Sequence, residues 1–342
     1  MNRIGHTGKH AKKILFLALA LLLALSAAGC GQGGATGDSG GGAAAVDGGD
    51  GAGNERVSIV ATIFPPYDLA RAVSGGLADV SMLLPPASES HSFEPTTRDI
   101  ISIQDCDLFL YIGGESDEWV DGILESMDTS SMRVLPMMDS VATVEEEIVE
   151  GMQEEEEELA LAEEEEVEYD EHIWTYPGNA KLMLEAITEA LCEIDGANAP
   201  AYRENAEAYS AQLDELDAAF QDLVAEAPLK TVVFGDRFPF RYFADAYGLD
   251  YFAAFPGCST ETEASAATVA FLIDKIKEEG IPVIFHIELS NGRMAEAIGE
   301  ATGAKPMLLH ACHNISKDDF ESGLTYIDLM WGNVDSLKEA LS

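Results

Sequence analysis

An uninterrupted stretch over 202–227 contains neither glycine nor proline, and it constrains the fold of this chain more than any other feature. Its apolar residues recur at steps of three or four, at Ala206, Tyr209, Leu213, Leu216, Phe220 and Leu223. This spacing puts them on one side of an α-helix about 40 Å long. Asn198 can cap the helix, and Pro200 is tolerated in its first turn. The sequence therefore predicts a stiff helix with one buried stripe.

Strands and helices alternate on both sides of this long helix, with a similar rhythm in each block. Apolar runs predict buried strands at 57–64, 80–84, 108–112, 230–234, 282–287 and 307–309. Helical patterns lie between and after them, at 69–73, 100–104, 268–279, 295–302 and 326–341. We therefore predict an α/β fold, in which two (β/α) lobes with parallel sheets are joined by the long rigid helix.

The first 29 residues have the composition of a bacterial lipoprotein signal peptide. Four basic residues precede an apolar stretch over 14–25, and small residues lie between it and Cys30. The apolar stretch is too short for a comfortable membrane span. Cys30 is the expected lipidation site, although Ala27 stands where such sites usually carry Leu. An ordinary secretory signal with an incidental cysteine is the alternative.

The rest of the chain divides by composition. Residues 30–54 are rich in Gly, Ala, Asp and Ser, which predicts a flexible tether. The segment from residue 55 onward is long enough for two domains. We expect an N-terminal lobe over 55–178, a helical linker with the long helix over 179–228, and a C-terminal lobe over 229–342.

Acidic residues dominate the charge, with 62 Asp and Glu against 19 Lys and Arg and a formal net charge of −43 at pH 7. Such a field repels nucleic acid, which excludes it as a partner, and attracts cations. The acidic segment over 145–171 holds sixteen Asp or Glu and ends directly before His172. Two interpretations of this segment stay open. It is either a solvated, self-repelling loop or a weak collector of cations.

Five histidines lie beyond the signal peptide, namely His91, His172, His286, His310 and His313. Histidine is the commonest protein ligand for zinc, and a set this sparse acts together only if the fold gathers it. His91 lies in a loop after a predicted strand, where open α/β sheets bind ligands. Metal capture is therefore the first hypothesis.

Two of these histidines lie in motifs that resemble those of a known family. The motifs His91-Ser-Phe-Glu-Pro and His172-Ile-Trp resemble those of the metal-binding lipoproteins that supply ABC transporters for zinc and manganese, the cluster A-I substrate-binding proteins. The similarity runs over 57–341 and includes the segments 107–113, 247–249 and 302–304. It implies a lipid-anchored, extracytoplasmic, monomeric binding protein that clasps a metal ion between two lobes. The ion would pass to a membrane ABC permease, and the protein would not be an enzyme.

The resemblance also implies a set of ligands, for which we select His91, His172, Asp236 and His310. The family carries His or Glu after the first strand of the second lobe, but no histidine occurs there in this chain. Asp236 is the candidate, and the alternative is a turn residue or a partner of Arg237. His310 stands where the family usually has Asp.

Three further residues lie near these candidates. His313 comes three residues after His310 and could replace or support it. Glu288 alternates with His286 on one face of a predicted strand and lies nearer its carboxyl end. We predict that Glu288 orients a ligand and that His286 is structural.

Three imidazoles and one carboxylate favour tetrahedral Zn²⁺, whereas Mn²⁺, the alternative, prefers more oxygen. Four protein ligands leave no position for water, which indicates capture rather than catalysis. Two other classes stay open. One is an exported zinc hydrolase, although the sequence has no His-Glu-x-x-His and no Gly-x-Ser-x-Gly. The other is a metal-dependent adhesin or calcium binder that acts through the acidic segment.

The remaining cysteines fall into two pairs. Cys106 and Cys192 lie in apolar surroundings and are predicted to be small buried residues. Cys258 and Cys312 lie in turn-like stretches near the proposed site, and in an exported protein they can form a disulfide. The sequence alone leaves this pairing open.

Overall fold

The computed structural model describes residues 56–152, 168–259 and 264–342. The predicted signal peptide, the lipidation site Cys30, the tether and the most acidic part of the acidic segment lie outside these ranges. Among the helices of the described residues, none is long and apolar enough to cross a membrane.

The first lobe contains a parallel four-stranded sheet in the order β2-β1-β3-β4. Its strands are β1 Ser58–Ala61, β2 Asp79–Met82, β3 Leu108–Tyr111 and β4 Arg133–Pro136. Its helices are α1 Phe64–Ser74, α2 Thr97–Gln104 and α3 Glu118–Leu124. The buried central strands β1 and β3 correspond to the apolar runs of the sequence.

The second lobe repeats this arrangement with its own parallel sheet, in the order β6-β5-β7-β8. Its strands are β5 Thr231–Phe238, β6 Asp250–Pro256, β7 Val283–His286 and β8 Lys305–Leu308. Its helices are α6 Arg241–Tyr247, α7 Ala266–Glu279, α8 Arg293–Thr302 and α9 Lys317–Ser322. The prediction of two α/β lobes with parallel sheets is confirmed.

Three further helices are α4 Pro177–Ile194, α5 Ala199–Glu226 and α10 Tyr326–Ala340. Both α5 and α10 contact elements of the two lobes. The 28 residues of α5 span about 42 Å and pack against α1, α4 and α10. Its buried residues Leu213, Leu216 and Phe220 belong to one apolar core that also includes residues of both sheets. The predicted long helix is confirmed, and the shared core gives the lobes a stiff connection.

Local sequence sets where the elements near the site begin. Pro65 and Pro66 come after β1 and lie in the first turn of α1, where a missing backbone N–H costs little. The capping box of Thr96 and Asp99 starts α2. Because these helices begin soon after the strands end, the connecting loops lie at the carboxyl ends of the sheets. These loops carry the candidate residues.

Candidate metal centre

Three imidazole rings converge between the lobes, those of His91, His172 and His313. The ring centroids are 5.9 Å apart for His91 and His172, 5.5 Å for His91 and His313, and 4.7 Å for His172 and His313. One ring nitrogen from each residue lies within 4.8 Å of the other two. We call this group the three-histidine centre, and its spacing suits one shared metal ion.

The three rings come from three different loops. His91 lies in the loop between β2 and α2, and His172 directly precedes the short 3-10 helix Ile173–Thr175. His313 lies in the loop after β8. The first lobe thus supplies two of the rings and the second lobe one.

A polar partner holds each ring at its Nδ1 atom. Nδ1 of His172 lies 2.9 Å from Asp170 Oδ1, and Nδ1 of His313 lies 3.3 Å from Glu288 Oε1. Nδ1 of His91 lies 2.8 Å from Ser116 Oγ. A carboxylate at Nδ1 fixes the proton there and leaves the lone pair on Nε2, which is the usual arrangement around ligating histidines.

The Nε2 atoms of the same three rings are buried, and within the described residues they have no hydrogen-bond partner. His172 is completely buried, and the His313 residue is 7 % exposed. A buried polar atom without a partner costs about 1–3 kcal/mol. Three such atoms in one cluster indicate that a cation uses their lone pairs.

The surroundings keep two of the rings neutral. Burial, together with the nearby His313 and His172, lowers the pKa of His91 to about 2. Burial also lowers the pKa of His313, although the hydrogen bond with Glu288 opposes this. For His172 burial acts in the same direction, but Asp170, Glu171 and Glu146 together outweigh it and the pKa is raised. Metal binding requires the neutral form of all three rings.

Glu288 holds the turn that presents His313. Its Oε1 accepts the His313 N–H at 2.9 Å, and its Oε2 accepts the Ala311 N–H at 2.7 Å. Cys312 between them has a positive φ of 63°, a conformation that a side chain rarely adopts without such support. Trp174 Nε1 donates to the Ala311 carbonyl at 2.6 Å and so ties the turn to the first lobe. Glu288 therefore orients His313 through both its ring and its backbone.

The structure does not bring Asp236 into the three-histidine centre. Its Oδ1 accepts the Arg237 N–H at 2.9 Å, and its Oδ2 accepts the Ile287 N–H at 3.3 Å. The pairing of β5 with β6 shifts register between Phe234 and Arg237, which places a bulge in the strand at Asp236. Asp236 stabilises this bulge, and it lines a cavity of about 340 Å³ beside His91.

His310 is also outside the centre. Its ring Nδ1 accepts a hydrogen bond from the backbone N–H of Cys312 at 3.0 Å. The backbone N–H of His310 donates to Asn333 Oδ1 at 2.7 Å. The ring therefore stabilises the turn, and His313 is the histidine of this loop that reaches the other two. His286 lies outside the centre as well, with its Nδ1 near the Ile287 carbonyl at 3.1 Å.

The possible disulfide between Cys258 and Cys312, which the sequence left open, is not formed, because both residues are free cysteines. The thiol of Cys312 donates to the His310 carbonyl at 3.7 Å, while Cys258 lies beside His91 and Glu171. Cys106 is buried as expected, and Cys192 is half-buried.

Two residues that orient the histidine rings, Ser116 and Asp170, were not predicted from the sequence. A signal for Asp170 was present, since it stands two residues before His172 and its Oδ1 also accepts the His172 N–H at 2.8 Å. Ser116 carried no comparable signal. Its hydroxyl contacts both His91 and Glu171, which only the folded chain brings together.

Comparisons with known proteins identify a family that this chain resembles. Residues 59–340 match the family model described as ZnuA, a periplasmic zinc-uptake complex component A. The high-affinity zinc uptake system protein ZnuA of Bacillus subtilis is 30% identical over 288 residues, which cover 84% of this chain and 88% of that protein. The zinc-binding lipoprotein AdcA of Streptococcus pneumoniae is 29% identical over 285 residues. That match covers 83% of this chain but only 56% of AdcA.

Solved structures show the same similarity. The Zn(II)-bound ZnuA-like domain of Streptococcus pneumoniae AdcA has a TM-score of 0.69 and 26% identity, with 84% of this chain and 99% of that domain covered. The metal-dependent lipoprotein YcdH of Bacillus subtilis has a TM-score of 0.71 and 28% identity, with 84% of this chain and 100% of that chain covered.

Proposed function

Because the chain belongs to the ZnuA family of periplasmic zinc-uptake components, we propose that it captures Zn²⁺ outside the cytoplasm and delivers it to a membrane ABC importer. The observation that carries this proposal is the cluster of three buried Nε2 atoms without hydrogen-bond partners in the described residues. The family consists of solute-binding components rather than enzymes.

We assign His91, His172 and His313 as the ligands of the captured ion. Zn²⁺ accepts imidazole nitrogen at about 2.0–2.1 Å, and three neutral donors leave its double positive charge in place. The carboxylates of Asp170 and Glu288 balance part of that charge through the rings. Mn²⁺ prefers carboxylate oxygen, and a purely imidazole set disfavours it.

Three protein ligands are also the number found in catalytic zinc sites, which retain an open position for water. A hydrolase would need that position accessible to substrate together with a free general base. Here His172 and His313 are buried, and both oxygens of the neighbouring Glu171 accept hydrogen bonds from Ser116. These contacts and the family membership favour capture.

The proposal includes a location and a partner. Cys30 would carry the lipid, and residues 31–54 would tether a monomeric binding unit to the outer face of the membrane. The ABC permease would receive the ion. The signal peptide and the lipid anchor are supported by the sequence pattern and by the lipoprotein name of a relative.

Metal content of single-residue variants tests the ligand set. Protein purified without chelators should contain one zinc per chain by mass spectrometry. The variant His313→Ala should lose at least about 100-fold in zinc affinity, because losing a ligand should cost no less than losing an orienting partner. Competition with a chromophoric chelator measures this change.

Three matched variants serve as controls. His286→Ala removes a histidine outside the centre and should keep full zinc content. His310→Ala and Asp236→Asn should also bind one zinc within about tenfold of the wild-type affinity. If His310→Ala abolished binding while His313→Ala retained it, the assignment of His313 would be overturned.

A further inference from the structure

A second group of donors adjoins the three-histidine centre. The Cys258 thiol, a Glu171 carboxylate oxygen and a ring nitrogen of His91 all lie within 4.8 Å of one another. Cys258 lies just after β6 in the second lobe and is 8 % exposed, and Glu171 in the first lobe is 3 % exposed. Thiolate, carboxylate and imidazole are the three side-chain types that bind zinc-like ions.

The Cys258 thiol makes no hydrogen bond with the part of the chain that the structure describes. Among the described residues, only the backbone N–H of Cys258 makes a hydrogen bond, to Glu146 Oε1 at 3.2 Å. The thiol is buried beside charged groups rather than within an apolar cluster. Burial and the carboxylates of Glu171, Glu146 and Asp170 raise its pKa far above the ordinary value. An unpaired thiol among carboxylates is an environment that a bound cation would stabilise.

The His91 ring belongs to both donor groups and has two nitrogens. Nδ1 lies 2.8 Å from Ser116 Oγ and 3.7 Å from Glu171 Oε1. Nε2 is the atom without a partner in the described residues, and it belongs to the three-histidine centre. One ring therefore separates a neutral, all-nitrogen donor set from an anionic set of sulfur and oxygen.

We propose that Cys258, Glu171 and Nδ1 of His91 form a second metal position for a thiophilic divalent ion such as Zn²⁺ or Cd²⁺. Binding would form a sulfur–metal bond and release the thiol proton to solvent. It would also release the Nδ1 proton of His91 to solvent, so that the ring becomes an imidazolate shared by the two ions. The hydrogen bonds that the Ser116 hydroxyl makes with His91 and with Glu171 would break. Soft d¹⁰ ions suit this set, since thiolate selects them over Mg²⁺, Ca²⁺ and Mn²⁺. This position deepens the proposed zinc capture, on which it depends only through the shared residue His91.

The second position lies between the three-histidine centre and the start of the acidic segment. Glu146 contacts Cys258, and its backbone N–H donates to the Glu168 carbonyl at 3.0 Å. Glu145 and Tyr169 form an antiparallel bridge beside this contact. An ion arriving along these carboxylates would meet oxygen, then sulfur, and finally the three imidazoles. The second position would therefore bind more weakly and fill after the centre.

Cobalt titration of the full chain under anaerobic conditions tests the proposal, because Co²⁺ reports each donor set by its own absorption. The first equivalent should give visible d–d bands from the three-histidine centre. A second equivalent should add a near-ultraviolet thiolate-to-cobalt charge-transfer band. Cys258→Ser should remove that band and the second equivalent while retaining the first. Cys192→Ser, which changes a half-buried thiol in α4, should leave both unchanged.

Two further variants separate this proposal from the proposed function. Glu171→Gln retains the thiol and should weaken the second equivalent at least tenfold. His313→Ala should reduce the d–d bands of the first equivalent but keep the charge-transfer band. One cobalt per wild-type chain with no charge-transfer band would overturn the second position and leave zinc capture intact. A charge-transfer band without binding at the three-histidine centre would overturn zinc capture instead.

Discussion

The two lobes have the same strand order but treat the polar groups near their strand ends differently. In the first lobe, His91 and His172 are held at Nδ1, and their Nε2 atoms have no partner among the residues that the structure describes. In the second lobe, the carboxylate oxygens of Asp236 accept hydrogen bonds that stabilise the bulge in β5. The ring Nδ1 of His310 accepts one that stabilises the turn before His313. Only His313 there resembles the first-lobe pair. Spare hydrogen-bonding capacity, more than residue type, therefore distinguishes a ligand from a structural group.

The two carboxylates that orient the rings, those of Glu288 and Asp170, offer the strongest test of this contrast between the lobes. Glu288→Gln should lower zinc affinity about 10- to 100-fold and also destabilise the apo protein by about 1–3 kcal/mol. The amide has one acceptor oxygen, so either the Ala311 or the His313 N–H loses its acceptor. Asp170→Asn should weaken zinc binding with a smaller loss of stability. Its Oδ1 can still accept hydrogen bonds from the backbone N–H and the ring Nδ1–H of His172.

Chelator competition and urea unfolding measure these two effects separately. Glu185→Gln, a carboxylate on α4 outside the site, is the control. If Glu288→Gln and Asp170→Asn lost the same stability, the second-lobe carboxylate would have no special role in its turn.

Acid should affect the zinc-free protein through the first-lobe ring His91. Its folded pKa of about 2 is below the ordinary value of 6.5, so the unfolded state binds a proton that the folded state excludes. The free energy of unfolding should therefore fall as pH drops below about 6.5, by up to roughly 1.4 kcal/mol per pH unit from this group. The lowered pKa of His313 acts in the same direction, and the raised pKa of His172 opposes it.

Urea unfolding with chelator at several pH values between 7.5 and 4.5 measures this slope. His91→Gln should make the slope shallower, whereas His286→Gln should not change it. Equal slopes for the wild type and His91→Gln would contradict the proposed burial of a neutral ring.

The ion pair that connects the two lobes should contribute little to the free energy of unfolding. Arg237 Nη2 lies 3.0 Å from Glu89 Oε2, and the side chains are 13 % and 42 % exposed. Solvent screens such a pair, so a double-mutant cycle with Arg237→Gln and Glu89→Gln should give a coupling energy below about 1 kcal/mol. The coupling should shrink in high salt. A larger coupling energy that did not change with salt concentration would mean that this ion pair, rather than the shared core, holds the lobes together.

Much of the fold could be predicted because apolar runs and an unbroken helical stripe leave few alternatives. The central strands and α5 could be read from these patterns. The strands β4 and β6 and the helices α3, α6 and α9 could not. The burial of β4 is only partial, and α9 has no buried residue, so their sequences lack a clear apolar signal.

Part of the site was equally accessible, since His91 and His172 lie in recognisable motifs. The choice between His310 and His313 was not. It depends on a turn in which Cys312 adopts a positive φ and Glu288, more than twenty residues earlier, accepts two backbone N–H groups. The role of Asp236 depends on a strand bulge, and Ser116 becomes relevant only when two distant loops meet.

The loop that carries the third ring is fastened to the opposite lobe. The Phe64 N–H donates to the His313 carbonyl at 3.3 Å, and Asn314 Nδ2 donates to the carbonyls of Pro85 and Ser88 at 2.7 and 2.8 Å. All three rings thus move with the first lobe unless these bonds open. The lifetime of the bound ion should then depend on the opening rate of this loop as well as on the strength of its nitrogen–metal bonds. A membrane partner that competed for the two carbonyls would speed release without touching the metal.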